Sequence, residues 1–135
     1  MATRWGHTKR IVADVAAAER FYAALGFTTT NRIVAGEGDD RGHQEQTYMS
    51  TTGEQRSHQL VLCRFLAYPP PRPVYPGESW ICIGVPDVEE ACEAVLRHGG
   101  SVFQAGQDTE HGVRAAVVAD VDGHFVELVG PLRGD

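Results

Sequence analysis

A chain of 135 residues, 42% hydrophobic and 22% charged, has the composition of an ordinary folded protein and the length to bury a core without disulfides or a structural metal. Its net charge of −6, with twelve Lys and Arg residues scattered from Arg4 to Arg133, argues against a phosphate-tracking surface, so no nucleic-acid partner is expected. No apolar stretch is long enough to span a bilayer and Met1 to His7 lack a leader-type apolar core, so no membrane association is expected; Cys63, Cys82 and Cys92, without a CxxC pair, read as reduced, buried thiols of a cytoplasmic protein.

In chain order, the run from His7 predicts a short strand that reaches Asp14, a residue suited to accept from the free amides of a first helical turn. Val15, Ala18, Phe21, Tyr22 and Leu25 then recur at helical spacing, and Gly26 stands where a left-handed C-terminal residue is cheapest. Strands are predicted from Phe27 to Val34, Gln44 to Ser50 and Gln59 to Phe65, with Gly36 to Gly42 as a mobile loop. Tyr68 to Gly77 reads as an extended, proline-rich linker.

After the linker the pattern repeats. Trp80 to Val85 forms a strand, Asp87 caps a helix striped by Val88, Ala91, Cys92, Val95 and Leu96, and Gly99 ends it. Asp14 and Asp87, Val15 and Val88, and Gly26 and Gly99 are each 73 residues apart. Strands follow from Ser101 to Gln104, Val113 to Ala119 and His124 to Val129, with Asp122-Gly123 as a tight turn and Asp108 to Gly112 as a solvated polar turn. Each half therefore reads βαβββ: module 1 over roughly 4–66, linker 67–78, module 2 over roughly 79–131, in one domain.

The run from Asp14 to Phe27, ending FYAALGF, resembles the first-helix signature of the vicinal oxygen chelate superfamily, which holds glyoxalases, bleomycin-resistance proteins and extradiol dioxygenases. Val113 to Val129 resembles its closing hairpin, with Asp120-Val-Asp-Gly123 where relatives usually carry DPDG, followed by a strand containing Glu127-Leu128. The resemblance implies an α+β fold of two βαβββ modules forming a half-open mixed barrel around a cavity, helices outside, commonly as a homodimer. It also implies a divalent metal, such as zinc, nickel, iron or manganese, held by one residue on the first and fourth strands of each module. Carried over position by position, those sites fall on His7, Trp80, Val61 and Glu127, of which only His7 and Glu127 can ligate, an incomplete set.

Strand alternation turns Val126 and Leu128 toward the helix and Phe125, Glu127 and Val129 away from it; Trp80, Cys82 and Gly84 share that second face. His7, Trp80 and Glu127 are accordingly expected to look into one hollow. Gln44, Gln46 and Tyr48 share one face of their strand and Glu45 the other, and the pattern leaves open which row meets the cavity.

Two function classes follow. Trp80 with Trp5, Tyr48, Phe125, Cys82 and a further candidate, Phe103, would line a slot that stacks on an aromatic or cationic small molecule, as in resistance or sequestration proteins. Alternatively His7 and Glu127 act as catalytic residues, in a glyoxalase-like metal-dependent lyase, isomerase or dioxygenase, or as a metal-free acid–base pair in an isomerase.

Overall fold

Asp14 and Asp87 do what their positions predict. In a computed structural model describing residues 5–38, 42–67 and 77–134, each carboxylate accepts from the backbone N–H three residues on, at Ala17 (3.0 Å) and Glu90 (3.1 Å). The helices they open, α1 (Val15–Ala24) and α2 (Val88–Arg97), are 73 residues apart throughout. Gly26 and Gly99 follow them at φ +103° and +88°, a conformation that a side chain makes costly.

Module 1 completes β1 (His7–Ile11), α1, β2 (Thr28–Ala35), β3 (Gln44–Ser50) and β4 (Gln59–Phe65); module 2 repeats the order as β5 (Ile81–Gly84), α2, β6 (Ser101–Asp108), β7 (Arg114–Ala119) and β8 (Phe125–Gly130). Each forms a four-stranded mixed sheet, ordered β1-β4-β3-β2 and β5-β8-β7-β6, and among the described residues no ladder closes a barrel. The first strand of each module runs parallel to its last, which requires the intervening helix as a crossover. By contacts the chain divides into two compact units, Met1–Arg72 and Pro73–Asp135. Most of the expected linker, 68–76, and part of the expected loop, 39–41, lie outside the described residues.

Each helix covers one face of its own sheet. In module 1, Ala18, Phe21 and Tyr22 are buried with Leu60, Leu62 and Met49, and the rings of Phe21 and Tyr22 meet edge to face at 5.1 Å. In module 2, Val88, Ala91, Ala94 and Val95 are buried with Ala116, Val118, Val126 and Leu128. Among the described residues each helix contacts the strands of its own sheet alone, and the residues that the strands alternate onto the other face are the functional candidates.

Three local expectations change. β6 runs on to Asp108 rather than stopping at Gln104, because two register irregularities between Val102 and Gln107 let it keep pairing with β7 past Gly106. Asp108 is thus a strand residue, not part of a solvated turn. It holds Arg114, whose side chain is 8% exposed and bonds Asp108 (3.1 Å), Glu89 on α2 (2.7 Å) and the Gly106 carbonyl (2.9 Å). A Cβ at Gly106 would come within 2.5 Å of the Glu89 carboxylate, so glycine lets helix and sheet close over the guanidinium.

The Asp122-Gly123 turn is also built differently. Only Gly123 takes positive φ (+84°), its N–H bonding the Asp120 carbonyl, while the Asp120 carboxylate accepts from the N–H groups of Asp122 and His124. Val121 then sits at the second position of the turn, where proline is favoured and not required. Finally, only Cys63 of the three thiols is buried; Cys92 is intermediate and Cys82 exposed, since Cys82 lies on the uncovered face of an edge strand.

Candidate functional site

The repeat predicts which residues should meet across each parallel pair, and the register agrees. In module 1 Lys9 lies opposite Val61, and in module 2 Cys82 lies opposite Glu127, so the 73- and 66-residue offsets hold together. Tyr48 is the β3 neighbour of Val61, and Val117 is the β7 neighbour of Glu127.

The open face of module 1 is polar. Gln44, Gln46 and Tyr48 belong to it, on the face turned away from α1: the Tyr48 hydroxyl donates to Gln46 (2.7 Å), Gln46 donates to Gln44 (2.7 Å), and the Gln44 oxygen also receives the Cys63 thiol (2.8 Å) and Lys9 (3.4 Å). Burial pushes the Cys63 thiol pKa above its ordinary value, so it remains a donor. His7 stands at the end of this row, its ring 6.2 Å from that of Tyr48 and nearly perpendicular to it. Beside it opens a cavity of about 280 Å³ lined by His7, Asn31, Tyr48, Gln55, Ser57 and Gln59, among others. Trp5 does not join these groups; it is 79% exposed and lies against His58.

The open face of module 2 is aromatic. Phe125 sits between Trp80, which meets it edge-on at 5.1 Å, and Phe103, which stacks on it at 5.1 Å and 29°. Trp80 and Phe103 remain 49% and 59% exposed. Next to this row Cys82 faces Glu127; burial first, then the Glu127 charge and a hydrogen bond to it, raise the thiol pKa. The sequence could not rank Phe103, because its strand enters the stack only through the irregular β6–β7 pairing.

The donor chemistry of a metal site is thin in each module. His7 pairs with Gln59 and has Tyr48 beside it, while Glu127 has Cys82 and Val117 as cross-strand neighbours. Among the described residues no group of three or more His, Cys, Asp or Glu side chains is arranged to hold a metal ion. Within either module these residues do not fit a complete divalent-metal site.

The model of the Glyoxalase/Bleomycin resistance protein/Dioxygenase superfamily matches residues 4–128. The chain belongs to this superfamily. A lactoylglutathione lyase of Neisseria meningitidis is 39% identical over 56 residues, a match that spans only 41% of this chain and 41% of that enzyme. Among solved structures, a glyoxalase family protein from Bacillus cereus aligns at a TM-score of 0.81 and 22% identity, covering 98% of this chain and 96% of its own. The trypanothione-dependent glyoxalase I of Leishmania major aligns at a TM-score of 0.69 and 24% identity, covering 96% and 87%. At these identities the structural likeness establishes the fold, and one scaffold of this kind hosts several chemistries. Among the described residues no helix is long and apolar enough to cross a membrane.

Proposed function

We propose that this protein binds a small aromatic or cationic molecule against its open sheet faces, in the manner of resistance or sequestration members of the superfamily. The observation that carries this reading is the row Trp80, Phe125 and Phe103, two of whose rings are about half exposed. Water contact with such a row is unfavourable, and a planar partner relieves it; Glu127 beside the row adds attraction for a positive charge. In this reading Trp80, Phe125 and Cys82 contact the ligand; of the module 1 candidates, Tyr48 and His7 border that module's own polar cavity and Trp5 lies outside it. The protein acts as a single domain, as a cytoplasmic homodimer.

Calorimetric titration with planar aromatic cations and neutral aromatics tests this. Saturable binding to the native protein should weaken about threefold to thirtyfold in apparent affinity in Trp80→Ala, the range of one desolvated cation–π or stacking contact. Identical titrations of native protein and Trp80→Ala would refute the aromatic site. His7→Ala, titrated alongside, reports whether the polar face of module 1 engages the same molecule.

A second reading draws on the match to lactoylglutathione lyase. In it the protein is a glyoxalase-like lyase or isomerase in which His7 and Glu127 hold or move a proton, or ligate a metal completed from elsewhere. Stoichiometric retention of nickel, zinc, iron or manganese after dialysis, lost in His7→Ala and Glu127→Ala, would favour it over binding alone.

A further inference from the structure

Register fixes how far the aromatic row of module 2 stands from its acid. Trp80 precedes Ile81, which pairs with Val126, so it stands level with Phe125 and their rings meet. Cys82 and Glu127 form the next level of the same face, two residues further along both strands. A carboxylate therefore follows the rings at a spacing of about 6.6 Å, the rise of two strand residues.

That carboxylate has no cation of its own. Glu127 enters none of the described ion pairs, and the Cys82 thiol that donates to it leaves further acceptor positions open. The repeat shows what is missing: Lys9 lies opposite Val61 in module 1, and in module 2 the same two positions hold Cys82 and Glu127. Module 2 thus carries the acid without the lysine.

The acid also stays accessible. Ile11 and Gln46 flank Cys63, and Tyr48 flanks Val61; Gly84 and Ala115 flank Val129 in the same way, and Val117 flanks Glu127. With the larger set, Val61 and Cys63 are fully buried; with the smaller one, Glu127 and Val129 keep intermediate exposure. A Cβ built on Gly84 meets nothing within 4 Å, so the surface beside the acid is open there.

We infer that the ligand of this face is an arylalkylammonium ion, its ring against Trp80, Phe125 and Phe103 and its ammonium on Glu127, about 6.6 Å along the strands. The inference rests on the aromatic site proposed above and adds that one molecule carries both groups, at a spacing the sheet dictates.

Calorimetric titration of the full chain compares phenylpropylammonium, whose extended linker spans that step, with benzylammonium, whose linker is too short, with uncharged phenylpropanol and with ringless propylammonium. Phenylpropylammonium should bind about tenfold tighter than each of the others, the worth of one charge-assisted contact or one ring contact. Glu127→Gln should bring it down to the affinity of phenylpropanol. Cys82→Lys, which restores the module 1 lysine at an exposed position, should do the same by satisfying the acid internally. Equal affinity for phenylpropanol or for benzylammonium, or an advantage that survives either substitution, would overturn the inference. In those cases phenylpropanol binding that Trp80→Ala weakens leaves the aromatic site standing, so the two readings fail separately. A protein that binds none of the four compounds overturns both.

Discussion

Replacing Arg114 by Met tests whether module 2 depends on its internal cation. The side chain is 8% exposed and bonds two carboxylates, Glu89 at 2.7 Å and Asp108 at 3.1 Å, and a carbonyl at 2.9 Å. Breaking a buried pair by deleting one partner costs roughly 3–5 kcal/mol, chiefly through the charge left behind. Glu89 and Asp108 keep 34% and 24% exposure, so water recovers part of that loss and the low end, about 3 kcal/mol, is expected. With a urea m-value of about 1.5 kcal/mol/M, the midpoint falls by about 2 M at unchanged slope. Arg64→Met is the control: its partner is Glu45 at 2.9 Å, the two side chains are 44% and 37% exposed, and the loss should stay below about 1 kcal/mol. Equal midpoint shifts in the two variants would refute the claim that Arg114 locks α2 onto its sheet.

Two further outcomes follow from the titrating groups. Burial and Glu127 together raise the Cys82 thiol pKa, so this exposed cysteine should alkylate more slowly near pH 8 than free cysteine, and Glu127→Gln should speed it; mass-spectrometric rates that do not respond to the substitution would sink the pairing. The N–H of Arg133, against desolvation and aided by Gly134 and Arg114, holds the Asp108 carboxyl below its ordinary pKa. A depressed acid stabilises the fold above the unfolded value near 3.8 and loses that contribution as pH falls through the lower folded value. The Gly134 amide should therefore lose its hydrogen-bonded NMR signature only below about pH 4, and Asp108→Asn should free it at neutral pH.

The secondary structure was written locally and could be read locally. Asp14 and Asp87 cap helices because their carboxylates answer nearby amides, Gly26 and Gly99 end them because only glycine takes that φ freely, and the period-two rows of β5 and β8 turn Trp80, Cys82, Phe125 and Glu127 to one face. The constant offset between the halves then carried over into the Lys9–Val61 and Cys82–Glu127 registers. What tertiary structure alone decided were contacts between residues far apart in the chain whose own neighbourhoods carry no sign of them. The Arg114 lock on Glu89 and Asp108, the entry of Phe103 into the stack on Phe125, and the placing of Gln44, Gln46 and Tyr48 on the face turned away from α1 all arise where strands and helix meet. Periodicity fixes which side of its own element a residue faces, whereas its partner is fixed only once sheet register and helix packing bring distant segments together.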